Sequence, residues 1–329
     1  MTRPSYRVAV LLPCYNEAPT IARVVRDFRQ ALPDAMIYVC DNNSTDDSVA
    51  RARAAGAVVL REPLQGKGNV VRRMFADIEA DIYVLADADA TYDAASAPAL
   101  LQRLVDNQLD FVNARRIARG DLAYRPGHRL GNRLLSALVA SIFGNRIGDM
   151  LSGYKVLSRR FVKSFPALAS GFETETELAV HALELRMPLA EVETPYFDRP
   201  EDSPSKLNTW TDGARILFMI GLLIKEERPL AFFSVLFAML VIASLSLGLP
   251  VIWEFLETGF VPRLPTAILA TGIMLLAFIA LVCGLVLDTV THGRREIKRL
   301  HYLAVPAVGQ PHLTAADMPV EPAPLPNGA

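Results

Sequence analysis

Two aspartates one residue apart, Asp87 and Asp89, are the clearest candidates for chemistry in this 329-residue chain. They follow an apolar run at residues 82–86, which is typical of a buried β-strand. Carboxylates at the carboxyl end of such a strand suit a hard divalent cation that also contacts substrate phosphates. The alternative is an acidic turn, because Asp and Ala are ordinary turn residues.

Two earlier loops could place further polar groups beside these aspartates. An apolar run at residues 7–13 leads into Tyr15, Asn16 and Glu17, and a second run at 36–40 leads into the Asp-, Asn- and Ser-rich residues 41–48. The carboxyl ends of parallel strands share one edge of a sheet, so the three loops are expected to converge. Turn propensity explains each loop separately, but it explains their convergence less well.

A short glycine-rich segment, Gly66-Lys67-Gly68, precedes the aspartates. It could contact a phosphate, or it could be a flexible helix start. The chain has no GxGxxG after its first strand and no GxxxxGK[ST] loop, which disfavours a dinucleotide-binding fold and a P-loop. The formal net charge of −1 provides no bulk electrostatic argument for nucleic-acid binding.

Basic and acidic residues are clustered in the second half. Arg115 and Arg116 end a predicted strand at 110–114, and Arg125, Arg129 and Arg133 recur every four residues on an otherwise apolar helix. This stripe is either a solvated helix face or a clamp for an anionic acceptor. Glu173, Glu175 and Glu177 follow at a helix start, where capping alone would also favour acids.

Predicted strands at 7–13, 36–40, 58–60, 82–86, 110–114 and 189–196 alternate with helices over much of the chain. This order predicts an α/β domain, residues 1–208, with a mostly parallel sheet flanked by helices.

The order and spacing of Pro13-Cys-Tyr-Asn-Glu17, Asp41 to Ser48, Gly66-Lys-Gly68 and Asp87-Ala-Asp89 resemble the family 2 glycosyltransferases, which have the GT-A (nucleotide-diphospho-sugar transferase) fold. The resemblance implies a nucleotide-sugar donor and Mg²⁺ or Mn²⁺ held by Asp87 and Asp89, with Thr91 as a further contact. The implied donor-binding residues are Pro13, Tyr15, Asn16, Glu17, Asp41, Asn43, Lys67 and Asp87.

The segment Asp149-Met-Leu-Ser-Gly-Tyr-Lys155 resembles the dolichyl- and polyprenyl-phosphate branch of that family. That branch implies a lipid phosphate acceptor, with Asp89, Arg115 and Arg129 as the catalytic residues. The implied acceptor-phosphate contacts are Arg115, Arg129, Arg133, Ser152, Arg199 and Lys206, with a weaker implication for Asn132. Glu175 and Glu177 are possible bases. The Gln-x-x-Arg-Trp motif of processive relatives is absent, which favours transfer of a single sugar.

Residues 230–253 and 264–287 are free of charge and are close to the ~20 residues that cross a bilayer. Residues 216–224 are too short to span and suit an interfacial helix within 209–228. Basic residues flank the predicted hairpin, 229–288, so both of its ends are expected to be cytoplasmic. The remainder, 289–329, is basic and then rich in Pro and Ala, and is expected to be largely disordered.

These observations predict a glycosyltransferase of the cytoplasmic membrane, with its catalytic domain at the inner leaflet. The expected reaction is inverting, metal-dependent transfer of one sugar from a UDP- or GDP-sugar to an undecaprenyl or dolichyl phosphate. Two alternatives remain open: a hydroxyl lipid acceptor such as diacylglycerol, a ceramide or a hopanoid, or a non-catalytic membrane scaffold. Its partners would be the donor, the lipid and the bilayer, with no nucleic acid and with a homo-oligomer, such as a tetramer, possible.

Overall fold

The structure is a computed structural model that describes residues 6–118, 137, 139, 147–168, 171, 173–198 and 225–309. The interfacial segment predicted at 216–224 lies outside these residues. Strands and helices alternate through the first part of the chain as predicted. They are β1 (Val8–Cys14), α1 (Ile21–Ala31), β2 (Met36–Asp41), α2 (Ser48–Ala54), β3 (Val58–Arg61), α3 (Lys67–Asp77) and β4 (Ile82–Leu85).

The second part completes the sheet and adds two long helices. After a short 3₁₀ turn, Ala94–Ser96, come α4 (Ala97–Asp106), β5 (Phe111–Ala118), β6 (Lys155–Ser158), α5 (Arg159–Ser164), α6 (Thr174–Glu184), β7 (Leu189–Tyr196), α7 (Pro229–Thr258) and α8 (Leu264–Leu303). The seven strands form one sheet in the order β3-β2-β1-β4-β6-β5-β7.

The sheet is mostly parallel, as the sequence predicts. Strand β1 pairs in parallel with β2 and β4, and β5 pairs in parallel with β7. Strand β6 is antiparallel to both of its neighbours, β4 and β5. Strand β6 was not predicted from the sequence, and only its first residue, Lys155, belongs to the motif at residues 149–155. Because β6 runs the other way, its first residue, Lys155, lies at the edge where the parallel strands end.

Apolar side chains on the two faces of the sheet form two cores. One packs α3, α5 and α6 on the sheet, and the other packs α1, α2 and α4 on the opposite face. The spacing of Ile21, Val24, Val25 and Phe28 explains why α1 buries one side, because residues three and four apart share a helix face. This three-layer arrangement places the loops after β1, β2 and β4 at one edge.

Helices α7 and α8 are long and apolar enough to cross a membrane. Only 11% and 22% of their most apolar stretches are buried, whereas a core helix of a soluble protein is mostly buried. Small residues allow close contact between them: Ser244 donates to the Ala270 carbonyl at 2.7 Å. A Cβ at Gly284 would lie 2.8 Å from the Cβ of Phe233.

Helix α8 continues well past residue 288, where the sequence analysis places the start of a tail, and returns to the catalytic domain. Lys298 donates to Glu184 at 2.7 Å, and the Tyr302 hydroxyl donates to Asp110 at 2.8 Å. Apolar and basic residues alternate in this last part of α8, residues 289–303, as expected for a helix with one side packed on the domain. Residues 310–329 lie outside the described part of the chain.

Candidate active site

The loops after β1 and β2 are joined by hydrogen bonds at the carboxyl edge of the sheet. The Asn16 N–H donates to Ser44 Oγ at 2.9 Å, and the Glu17 N–H donates to Ser48 Oγ at 2.8 Å. In return, the Thr45 N–H donates to Asn16 Oδ1 at 2.8 Å. Where the backbone hydrogen bonds between β1 and β2 end, hydrogen bonds from short polar side chains take over. They hold the two predicted donor loops in one fixed arrangement.

A buried asparagine connects the second loop to the glycine-rich segment. The Asn42 amide donates to the carbonyls of Glu62 and Leu64 at 2.9 and 2.8 Å, and its Oδ1 accepts from the Gly66 N–H at 2.7 Å. Asn42 was not among the predicted site residues, although a polar residue directly after a strand often holds the next loop by hydrogen bonds. The neighbouring Asn43, predicted to contact the donor, has a positive φ of 64°.

The loop that carries the two aspartates is tied to the first loop. Thr20 Oγ1 donates to the carbonyl of Ala88, between the aspartates, at 2.8 Å. Thr91 donates to Asp89 Oδ1 through its hydroxyl at 2.6 Å and through its N–H at 3.2 Å. Ala90 has a positive φ of 60°, which turns the chain sharply between Asp89 and Thr91. The three predicted loops therefore converge.

Lys67 connects Asp87 to the acidic cluster of α6. Its ammonium group forms short ion pairs with both Asp87 and Glu175. Only 11% of the Lys67 side chain and 8% of the Glu175 side chain are exposed. Burial would lower the pKa of Lys67, but the Asp87 and Glu175 charges outweigh it and raise that pKa above its ordinary value. Lys67 is therefore a permanent cation between two carboxylates.

The backbone of Gly153 packs closely against the Asp87 carboxylate. A Cβ at this position would lie 2.5 Å from Asp87 Oδ2. Any residue other than glycine would therefore force the Asp87 carboxylate to move. The Gly153 N–H donates to the Tyr92 hydroxyl at 2.7 Å, which fixes the glycine against the aspartate loop. The motif residue next to it, Ser152, is fully buried and donates to the Ala114 carbonyl at 2.6 Å.

Lys155, at the start of β6, is a buried cation that the sequence analysis left without a role. It is 0% exposed, and its Nζ donates to Asn113 Oδ1 at 2.9 Å and to the Ser152 carbonyl. Burial lowers the pKa of Lys155 to about 8, although the charges of Glu175 and Asp149 act in the opposite direction. Its position holds the 152–154 backbone to the centre of the sheet.

The adjacent arginines of β5 have different environments. Arg116 forms a bidentate pair with Asp149, donating from Nε at 2.8 Å and from Nη2 at 2.7 Å. Its guanidinium lies 5.4 Å from the Tyr196 ring centre. Burial would raise the pKa of Asp149, but the hydrogen bonds and charge of Arg116 lower it overall. Arg115 is half exposed, 3.3 Å from the exposed Glu193. Arg115 is therefore the more accessible of the two to a ligand.

The structure brings together the predicted residues of the first three loops with Lys67, Asp87, Asp89, Thr91 and Glu175. It does not bring Glu177 into this group, since Glu177 accepts from the Leu168 N–H at 2.8 Å. Ser152 was predicted to contact the acceptor phosphate, but its only proton is used in the buried bond to Ala114. In the structure Ser152 holds the motif to strand β5, and its contact with the acceptor phosphate stays a prediction. Outside the described residues lie Arg125, Arg129, Asn132, Arg133, Arg199 and Lys206.

The residues at this edge fit a divalent cation bound together with substrate. Among the described residues, no group of three or more His, Cys, Asp or Glu side chains could hold a metal ion. Mg²⁺ usually takes only one or two protein carboxylates, and it obtains its other ligands from substrate phosphates and water. Asp87 and Asp89 supply hard oxygen donors of that kind, and the hydrogen bond from Thr91 orients Asp89.

Comparison with known proteins identifies the family. Residues 9–165 match the model described as Glycosyl transferase family 2. The glycosyltransferase AglJ of Haloferax volcanii is 32% identical over 303 residues, which cover 90% of this chain and 98% of AglJ. The chain belongs to glycosyl transferase family 2. It is therefore a glycosyltransferase, as the sequence analysis predicts.

Two further similar proteins relate this family 2 glycosyltransferase to known structures and activities. A dolichyl-phosphate hexose transferase of Haloferax volcanii is 27% identical over 221 residues, 67% of this chain and 95% of that protein. A crystal structure of glucosyl-3-phosphoglycerate synthase from Mycobacterium tuberculosis, in complex with Mn²⁺, UDP-glucose and glycerol 3-phosphate, superposes with a TM-score of 0.54. The two sequences are 27% identical, and the superposed part covers 67% of this chain and 80% of the synthase chain. The GT-A fold is thereby confirmed.

Proposed function

We propose that this glycosyltransferase transfers a single sugar, with inversion, from a UDP- or GDP-sugar to a polyprenyl phosphate at the inner leaflet of the cytoplasmic membrane. The observation that carries the proposal is the convergence of the three loops with Lys67 and Asp87 at one sheet edge. In open α/β sheets, ligands bind at the carboxyl ends of the strands. The proposed donor site lies at such an edge.

The donor side is supported by the rigidity of its loops. The hydrogen bonds of Asn16, Asn42 and Ser48 hold the loop backbone in place, and a loop that is held in place loses less entropy when a ligand binds. Tyr15 is 39% exposed beside these loops, and we assign it to contact the nucleotide base. The related synthase was crystallised with UDP-glucose, which favours a nucleotide-sugar in the same position here.

A divalent cation, Mg²⁺ or Mn²⁺, would be held by Asp87 and Asp89, with Thr91 nearby. When bound, such an ion supplies Lewis-acid stabilisation of the charge that develops on a departing diphosphate. The chain's own residues would prepare this site. Lys67 neutralises Asp87, Thr91 orients Asp89, and Gly153 leaves the space that the Asp87 carboxylate occupies.

The acceptor side is supported by Arg115 and by the relation to a dolichyl-phosphate hexose transferase. Arg115 lies two residues beyond Asn113 on the same strand, and therefore on the same face as Lys155 and Glu175. We assign it to the acceptor phosphate, together with Arg129 and Arg133 from outside the described residues. An arginine fork matches phosphate geometry and would orient its oxygen for attack on the anomeric carbon.

The surroundings of the glutamates favour a phosphate acceptor over a hydroxyl lipid. A hydroxyl acceptor needs a base, whereas a phosphate monoester already carries about 1.5 to 2 negative charges near neutral pH. Glu175 is paired with Lys67, and Glu177 accepts a backbone hydrogen bond. We therefore assign Glu175 to positioning Lys67 and Asp87, and we assign no base.

The membrane helices support the same acceptor. We propose that residues 1–208 form the cytoplasmic catalytic domain, that 209–228 lie in the interface, and that α7 and α8 form a hairpin with both ends cytoplasmic. Lys225 and Arg228 lie on one flank, and Arg294, Arg295, Lys298 and Arg299 on the other. A polyprenyl phosphate has its phosphate at headgroup level, so the anchor would confine enzyme and acceptor to the same plane.

The experiment is to incubate membranes that contain the protein with undecaprenyl phosphate and a panel of UDP- and GDP-sugars, and to analyse the lipids by mass spectrometry. We expect one sugar per lipid phosphate, a requirement for Mg²⁺ or Mn²⁺, and loss of the product in Asp89→Asn. Asp34→Asn, an exposed aspartate far from the edge, is the matched control. The proposal is wrong if no sugar in the panel is transferred, or if Asp89→Asn retains wild-type turnover.

A further inference from the structure

A row of three hydrogen-bonded polar side chains crosses the neighbouring strands β6, β5 and β7. Lys155 on β6 and Glu191 on β7 are both register partners of Asn113 on β5, and we refer to these three residues as the polar row. Lys155 Nζ donates to Asn113 Oδ1 at 2.9 Å, and Asn113 Nδ2 donates to Glu191 Oε1 at 2.9 Å. A cation on one side and a carboxylate on the other therefore fix the orientation of the amide between them.

The polar row binds the backbone of the loop at residues 148–153, which leads into β6. The Glu191 carboxylate accepts from the Gly148 N–H at 3.0 Å and from the Asp149 N–H at 3.0 Å. The amide of the row donates to the Asp149 carbonyl at 2.9 Å, and the lysine of the row donates to the Ser152 carbonyl. Side chains of three strands thus bind four backbone groups of one loop.

The polar row costs free energy that an apolar row would not. Asn113 and Lys155 are fully buried, and buried polar groups lose their hydration. Apolar side chains would leave the strand pairing unchanged, because backbone groups form it. What the polar side chains add is the set of hydrogen bonds to loop 148–153, so this loop is the feature that the row stabilises.

The far end of loop 148–153 supports the segment that carries the two aspartates. The Gly153 backbone packs closely against the Asp87 carboxylate, and the Gly153 N–H donates to the Tyr92 hydroxyl at 2.7 Å. A shift of this end of the loop would therefore move Asp87 or break the hydrogen bond to Tyr92.

The near end of the loop reaches the same segment through two aromatic rings. Both carboxylate oxygens of Asp149 bind the Arg116 guanidinium, which lies 5.4 Å from the Tyr196 ring centre. The ring centres of Tyr196 and Tyr92 are 5.3 Å apart. Glu191 binds the N–H of Asp149 itself, so it lies at the start of this series of contacts.

We propose that Glu191 is a positioning residue for sugar transfer. Its carboxylate holds loop 148–153, and the loop holds Asp87 at the proposed donor site. Glu191 acts through the loop and not on the reacting atoms. Its effect on transfer rests on the proposed role of Asp87 in donor binding, whereas its hold on the loop does not.

Hydrogen–deuterium exchange of the full chain in detergent, measured by mass spectrometry, tests the hold on the loop. Glu191→Gln keeps the size of the side chain but replaces one acceptor oxygen with a donor NH2 group. We expect faster exchange in peptides that cover residues 148–154 and 86–92. Asp81→Asn is the matched control and should leave both peptides unchanged, because Asp81 accepts the Arg7 N–H at 2.9 Å before the amino ends of β1 and β4. Wild-type exchange at 148–154 in Glu191→Gln would overturn the proposal.

Steady-state kinetics of sugar transfer test the positioning role itself. We expect Glu191→Gln to raise KM for the nucleotide-sugar on the order of 10-fold, because a small displacement of groups in a binding site is costly. The KM for the acceptor lipid should change much less, and Asp81→Asn should keep both wild-type KM values. A protein that is only destabilised contains less active enzyme, which lowers the apparent kcat and leaves both KM values unchanged. That pattern in Glu191→Gln would mean that Glu191 is not a positioning residue.

Gly148→Ala disturbs the same contact without removing a polar group. A Cβ at Gly148 would lie 3.0 Å from Glu191 Oε2, so the carboxylate must shift. If both substitutions act through this one contact, Gly148→Ala/Glu191→Gln should lose no more activity than the more severe single variant. Losses that multiply in the double variant would contradict the proposal.

Failure of the proposed function would give a different pattern. If the wild type uses a hydroxyl lipid instead of a polyprenyl phosphate, the same rise in KM for the nucleotide-sugar is expected with that lipid. If no nucleotide-sugar is a substrate, the proposed function is wrong, and exchange at 148–154 still decides whether Glu191 holds the loop.

Discussion

Lys67 and Glu175 form a buried ion pair that joins the start of α3 to the start of α6. The same ammonium contacts Asp87, so the helix that carries the acidic cluster is connected to the proposed donor site through one side chain. This contact supports the proposed role of Glu175 as a residue that positions Lys67 and Asp87. It also separates Glu175 from Glu177, although both were candidates for a base.

Glu175→Gln should therefore reduce sugar transfer by misplacing Lys67 and Asp87. We expect a loss on the order of 10- to 100-fold, the effect of a small displacement of reacting groups. The free energy of unfolding should fall by about 1–3 kcal/mol, because a buried charge loses a partner. Glu177→Gln is the matched control and should retain near wild-type transfer. The pH dependence of the transfer rate distinguishes a positioning residue from a base. If Glu175 were the base, Glu175→Gln would abolish the fall in rate at acidic pH.

Gly153→Ala tests the close approach of the motif backbone to Asp87. The added methyl group would lie 2.5 Å from Asp87 Oδ2, so the carboxylate must move. We expect transfer to fall by at least as much as in Glu175→Gln, while the protein still folds and associates with membranes. Gly272→Ala is the control, because nothing lies within 4 Å of a Cβ there. Wild-type kinetics in Gly153→Ala would contradict the proposed position of Asp87.

Lys155 predicts a pH dependence of stability. Its pKa is about 8 in the folded protein because of burial, whereas an unfolded lysine titrates near 10.4. Between about pH 8 and about pH 10.4, the unfolded chain binds more protons at this site, so this contribution to the free energy of unfolding rises with pH. The thermal stability of the wild type relative to Lys155→Met should therefore increase across that window. Lys163→Met, a more exposed lysine, is the control. A difference between wild type and Lys155→Met that is constant with pH would contradict the prediction.

The end of α8 should stabilise the catalytic domain. Tyr302→Phe removes the hydrogen bond to Asp110 but retains the ring, which lies 4.6 Å from the Arg160 guanidinium. We expect a loss of about 1 kcal/mol. Tyr302→Ala removes both contacts and should cost more. Thermal unfolding in detergent measures both variants, and an unchanged melting temperature in Tyr302→Ala would show that this end of α8 does not stabilise the domain.

The sequence by itself determined the parallel part of the sheet and the two apolar helices. Buried strands and membrane helices both require continuous apolar runs, and such runs are visible without any structure. The position of Asp87 and Asp89 after β4, and the convergence of three loops at one edge, followed from the order of these runs. The boundaries of β1, β2 and β7 agree with the prediction to within one residue.

Only the tertiary structure decided which polar residues meet. Strand β6 is four residues long and begins with a lysine, so it lacks the pattern of a buried strand. The pairing of Lys67 with Glu175, the contact of Gly153 with Asp87 and the return of α8 to Asp110 join residues far apart in the chain. Local propensity carries no information about such contacts, because they depend on how the sheet stacks its helices and loops. For the same reason, the motif could not show that Ser152 donates to the Ala114 carbonyl or that Glu177 accepts from the Leu168 N–H.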